Sequence, residues 1–121
     1  MDVRPILLVA LGGAFGALAR YGAHYGLERM EWPLPTLYVN LVGSFLLGAL
    51  LLHGDGPGQG ARLLLGTGFL GAFTTLSTYS VETLELFRVG AAWRGVLHVV
   101  GNGLGGPLMA FAGWRVAALL G

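Results

Sequence analysis

Four apolar stretches, 5–25, 34–52, 63–89 and 96–120, take up most of this 121-residue chain and leave it few ways to fold in water. Each is close to or above the roughly 20 residues that a helix needs to cross the hydrocarbon of a bilayer. The second, LPTLYVNLVGSFLLGALLL, contains no charged residue at all. An average soluble domain has about 25% charged residues. Here the share is 11%, with 55% hydrophobic residues and a mean hydropathy of +0.70. The expectation is one all-α membrane domain, residues 1–121, with four transmembrane helices per subunit. The alternative for the first stretch is a cleaved signal peptide, with Arg4 before the apolar run and Ala17–Ala19 as the cleavage site. The glycine-rich apolar pattern that continues past Ala19, and the three stretches that follow, favour a retained span.

Short breaker-rich segments separate the stretches: ERMEWPLP, with Trp32 as an interface anchor, then HGDGPGQG, then RVGAAWRG, where Arg88 and Arg94 flank Trp93 in the setting of a headgroup region. All seven basic residues are arginine. With the N-terminus inside, Arg4, Arg62 and Arg115 fall on the inner side and Arg20, Arg29, Arg88 and Arg94 on the outer. So even a split sets no orientation under the positive-inside rule, and the chain is expected to insert both ways up. There is no cysteine, so neither disulfides nor a thiolate metal site is available. No histidine or carboxylate set has metal-ligand spacing, and no serine–histidine pair is placed for nucleophilic catalysis. An enzyme is not expected, and nucleic acid is not an expected partner.

Polar residues inside the stretches carry the functional signal. Thr36, Asn40, Ser44 and Gly48 recur every four residues and line one stripe of the second helix, as an interhelical contact or as one wall of a narrow polar path. The Asn40 amide offers two donors that could meet an anion. Arg20 follows Gly16 on a glycine face of the first helix, and an arginine at that depth needs carbonyls, an acid or water nearby. In the third stretch, Gly66, Gly68 and Gly71 followed by Thr74 and Thr75 make poor helix, so a break is expected between Gly71 and Thr75. Beyond it, Thr75, Thr78, Glu82 and Glu85 share a face, with Leu76, Tyr79 and Thr83 as the neighbouring stripe. Serine and threonine back-bonding within a helix accounts for one or two such hydroxyls. The others read as a track of donors for a small anion. His98 and Asn102, four apart in the last stretch, add two more polar groups. Pairs of small residues at Gly12/Gly16, Gly22/Gly26, Ser44/Gly48 and Gly101/Gly105 allow close helix approach. Broken backbone must be buried in protein, and two antiparallel copies about a twofold axis would set break against break. From the residues alone, the expectation is a dimeric membrane pore or transporter for a small ion.

Three segments, GGAFGALARY at Gly12–Tyr21, TLYVNLVGSFLLG at Thr36–Gly48 and GFLGAFTTLSTYSVE at Gly68–Glu82, resemble in order the signature segments of the small bacterial fluoride channel family, Fluc or CrcB. The resemblance covers nearly the whole chain. It implies an antiparallel, dual-topology homodimer in the bacterial inner membrane, with two pores that export cytoplasmic fluoride passively. It further implies a structural sodium ion on the dimer axis, held by backbone carbonyls of Gly71 and Thr74 from each copy. Asn40 matches the family's pore asparagine, Ser77 and Thr78 match hydroxyls of its polar track, and Arg20 and Glu82 match its arginine and the acid after the track. Where the family usually reads phenylalanine twice, this chain has Leu76 and Tyr79, so one ring edge is absent and one hydroxyl is added. The competing expectation is a small dual-topology drug or cation exporter, which would need a membrane-embedded carboxylate near its substrate.

Overall fold

The computed structural model describes residues 2–121, and these are helical almost throughout. Helix α1 (Val3–Gly26) starts where the Asp2 side chain accepts from the Arg4 N–H at 3.1 Å, an N-cap that satisfies one of the donors a helix start leaves open. Helix α2 (Leu34–Leu52) has Pro35 in its first turn, where a missing N–H costs nothing. After the loop at 53–58 come a single turn α3 (Gln59–Ala61), a π-helical segment Arg62–Leu70 and another single turn α4 (Gly71–Phe73). Helix α5 (Leu76–Arg88) follows a two-residue interruption, and α6 (Ala92–Leu120) closes the chain. Gly90, at φ +83°, turns the chain between α5 and α6 in a conformation that side chains disfavour.

Three of these helices, Val3–Gly26, Leu34–Leu52 and Ala92–Leu120, are long and apolar enough to cross a membrane. The third stretch, 63–89, expected as a span with a break in it, is a succession of short pieces. The reason is local. Thr74 (φ −83°, ψ 160°) and Thr75 (φ −151°, ψ 120°) are both extended, so no helical hydrogen bond can run through them. The interruption falls at the C-terminal end of the expected Gly71–Thr75 window; Gly71 itself is helical.

Packing relies on small residues more than on a hydrophobic core, which among the described residues is a cluster of Val39, Leu70 and Phe73, with Leu86 of α5 buried apart from it. Helix α2 pairs with α6, and α1 pairs with the π-helical segment and α4. A Cβ on Gly12 would overlap the Leu64 carbonyl, and one on Gly16 the Phe69 carbonyl. Gly48 and Gly113 do the same for α2 and α6, against the carbonyls of Ala110 and Phe45. Backbone thus touches backbone in both pairs, the mode by which helices associate in lipid. Gly101 and Gly105 meet the side chains of Leu37 and Leu41, while among the described residues nothing lies within 4 Å of where a Cβ on Gly22 or Gly26 would sit. Large apolar side chains such as Leu7, Phe15, Leu18, Leu108 and Leu119 point outward, as a lipid solvent requires. Beside the 31–33 loop, Arg94 pairs with Glu31 at 3.3 Å and donates to the Trp32 carbonyl, tying the α1–α2 connection to the start of α6.

Candidate functional site

The interruption between α4 and α5 organises everything polar in the interior. In a continuous helix the Thr75 N–H would bond the Gly71 carbonyl, and the Thr78 N–H that of Thr74. Here the Thr75 N–H goes to Asn40 Oδ1 at 2.8 Å, and the Thr78 N–H goes to Thr75 Oγ1 at 3.2 Å, an N-cap for α5. The carbonyls of Gly71 and Thr74 therefore receive no backbone donor among the described residues. Gly71 lies on the exterior of the chain and Thr74 is half-buried.

Asn40 stands in for a peptide group. Its Oδ1 takes the Thr75 N–H while its Nδ2 donates to the Thr75 carbonyl at 3.1 Å and to Asn102 Oδ1 at 2.8 Å. Both amide hydrogens expected to be free for an anion are thus engaged within the chain. The sense of these bonds propagates. Because Asn102 presents its oxygen to Asn40, its Nδ2 faces α6 and donates to the His98 carbonyl at 2.8 Å, with His98 Nδ1 at 3.2 Å. With Nδ1 so placed, the partners assign the His98 ring hydrogen to Nε2. That atom faces Glu82 Oε1 at 3.4 Å, long for a hydrogen bond, and neither atom has another partner. Glu82 Oε2 accepts from the Thr36 hydroxyl at 3.0 Å, Thr36 Oγ1 lies 3.2 Å from His24 Nε2, and His24 Nδ1 bonds the Arg20 carbonyl at 3.0 Å. A single polar chain thus crosses the interior from α1 to the interruption. Thr36 and His98 are buried along it, at 0% and 4% exposure.

Each residue expected at the site has a definite place. Asn40 and Ser44 of α2, Thr75, Leu76 and Tyr79 after the interruption, and Asn102 of α6 line an open cavity of about 580 Å³. Leu76 is 75% exposed at its rim, and the Tyr79 ring packs against the His98 ring at 5.2 Å. Of the five serine and threonine hydroxyls at 74–80, Thr74 and Ser80 bond back to the carbonyls of Leu70 and Leu76, and Thr75 caps α5 and donates to Thr78 Oγ1 at 3.0 Å. Ser77 and Thr78 lie on the exposed side of α5 with their hydroxyl hydrogens uncommitted among the described residues. Arg20 enters the network through its carbonyl only. His24 was not singled out by the sequence; its signal is the four-residue spacing from Arg20. For His98 and Asn102 the same spacing was visible but their partners were not.

Long apolar helices around a buried polar chain and an interrupted segment define an all-helical, multi-pass membrane protein. Residues 7–114 match the family described as CrcB-like protein, Camphor Resistance (CrcB). The chain belongs to this family. It is 43% identical over 121 residues to a protein of Dehalococcoides mccartyi named "Fluoride-specific ion channel FluC", covering 95% of this chain and 93% of the relative. It is 44% identical over 126 residues to the protein of that name from Thermus thermophilus, covering 99% and 98%. To "Fluoride-specific ion channel FluC 2" of Moorella thermoacetica it is 44% identical over 119 residues, covering 94% and 97%.

Proposed function

We infer that this chain is a fluoride-specific ion channel, which lets fluoride leave the cytoplasm down its gradient and so lowers its intracellular concentration. The observation that carries this reading is the match, over almost the entire length, to relatives of that name. The chemistry is compatible. Fluoride is small and strongly hydrated, so a path for it needs many donors in series to replace its water. The uncommitted hydroxyls of Ser77 and Thr78 and the Tyr79 ring supply such groups along α5. Asn40 joins them by exchanging its bond to Asn102 for one to the anion. Thr36, Ser44, Leu76, Glu82 and Arg20 border the same path.

The assembly we propose is an antiparallel, dual-topology homodimer of four-span subunits, the interrupted segment being the fourth crossing. Backbone that has left helical geometry at membrane depth has to be covered by protein or open to water. Gly71, Ser77 and Thr78 are exposed on the single chain, and a second copy would cover them. The even division of the seven arginines permits both orientations. The freed carbonyls of Gly71 and Thr74 suit a hard cation, which takes oxygen ligands. They would hold a structural sodium ion where two copies meet, neutralising carbonyl dipoles that the interruption leaves open.

Fluoride release from liposomes containing only this purified protein, with a potassium ionophore to dissipate charge, tests the function. Rapid fluoride release without chloride release is expected, and no release from folded protein would overturn the reading. Repeating the assay with sodium replaced by a large organic cation reads the sodium proposal, which unchanged flux would remove.

A further inference from the structure

The polar chain constrains its own protons. The Arg20 carbonyl can only accept, so His24 Nδ1 carries a hydrogen. From the other end, the bonds running from the Thr75 peptide through Asn40 and Asn102 place the His98 hydrogen on Nε2, facing Glu82. Between them lies Thr36, with one hydroxyl hydrogen and two neighbours, His24 Nε2 at 3.2 Å and Glu82 Oε2 at 3.0 Å. If Thr36 gives its hydrogen to Glu82, His24 Nε2 must bring one of its own, and the imidazole is a cation. If Thr36 gives it to His24, Glu82 must carry a carboxyl hydrogen. Both satisfied arrangements hold one proton more than neutral His24 beside ionised Glu82. They interconvert by a double hop. The His24 Nε2–H bond breaks as an O–H bond forms on Thr36, while the former Thr36 O–H breaks as one forms on Glu82 Oε2.

We propose that His24, Thr36 and Glu82 form a proton-binding site whose one exchangeable proton sets the anion permeability of the chain. The proposal rests on the reading as a fluoride channel. With the proton bound, the three groups are neutral in sum. Without it, a negative charge is left at Glu82, and Thr36 can serve only one of its two acceptors. That buried charge repels an anion passing α5. Arg88 is paired with Glu85 and Arg94 with Glu31, Arg20 of α1 joins the network through its carbonyl, and His98 of α6 faces the carboxylate with its Nε2 3.4 Å from Glu82 Oε1. His24 is half-buried in the last turn of α1, where the proton exchanges with water. It is a positioning residue, acting on Glu82 through Thr36.

The test is fluoride release from liposomes, followed from about pH 6 to about pH 9, the window in which histidine charge is sensitive. Wild-type flux is expected to fall several-fold toward the alkaline end. Thr36→Val, which keeps shape but removes the relay, is expected to flatten the profile, and Thr36→Ser to restore it. His24→Gln serves if Thr36→Val does not assemble, with the same flat profile expected. A flat wild-type profile, or a wild-type profile in either His24→Gln or Thr36→Val, would overturn the site. A reading independent of flux is infrared difference spectroscopy on a pH change in micelles. One proton should leave a linked imidazole–carboxyl pair in the wild type and in Thr36→Ser, and that linked step should be absent in Thr36→Val. The same linked step in all three proteins would likewise overturn the site. Absence of fluoride release at every pH would instead sink the channel reading, and the infrared spectra would still decide the proton site.

Discussion

The two sides of the interruption at Thr74–Thr75 are held to the rest of the molecule by opposite means. Before it, the π-helical segment presses backbone to backbone on α1, with glycine at Gly12, Gly16 and Gly68 where a side chain would collide. After it, α5 buries one apolar side chain, Leu86, leaves Leu76, Val81, Leu84 and Phe87 exposed, and is otherwise fastened by polar atoms, Thr75 to Asn40 and Glu82 to Thr36. One side is fixed by shape and is damaged by adding a carbon. The other is fixed by hydrogen bonds and is damaged by removing a polar atom.

The largest expected effect tests the shape side. Gly12→Val sets a branched side chain against the Leu64 carbonyl, which no rotamer relieves, and is expected to cost about 3 kcal/mol or more, the upper end for overpacking. The readout is loss of the monodisperse folded protein in detergent; a normal Tm would show that α1 is not seated where the glycines place it. Next comes the polar side. Asn40→Leu leaves the buried Thr75 N–H without its acceptor and takes one donor from the Thr75 carbonyl, and is expected to lower stability by about 2 kcal/mol. Most fluoride flux should vanish while folded protein remains. Wild-type flux would take Asn40 out of the path, and failure to fold would make the two sides alike. Smallest is Leu76→Phe at the cavity rim, where 75% exposure keeps the expected stability change within about 0.5 kcal/mol. Flux should hold or rise, and a large loss would show that this chain conducts along a different rail from its relatives.

The apolar helices were legible because lipid imposes a long, unbroken signal on composition. The interruption was legible too, since Gly66, Gly68 and Gly71 beside two threonines make poor helix, although its residues proved to be Thr74 and Thr75 and not the glycine. The π-helical geometry of Arg62–Leu70 was not, because i→i+5 bonding leaves no periodic trace in nine residues. Back-bonding by Ser80 and Thr83 lies within four residues and can be read locally. The commitment of Asn40 to Thr75, 35 residues away, and of Thr36 to Glu82, 46 away, cannot. Polar pairing across helices depends on which faces meet, and the pattern of a single helix does not contain that.

The stand-in of Asn40 for a peptide group also bears on how the chain is made. A segment with two extended residues would be a poor candidate for insertion by itself, with the Thr75 N–H and carbonyl bare in hydrocarbon. Helix α2 leaves the ribosome before that segment, so the amide that receives Thr75 is already present when Thr75 emerges. Helix α6, last in order, then brings Asn102 and His98 and closes the network. The order of the helices along the chain is thus also a workable order of assembly for Thr75, Glu82 and Asn102, each of which meets a partner synthesised earlier.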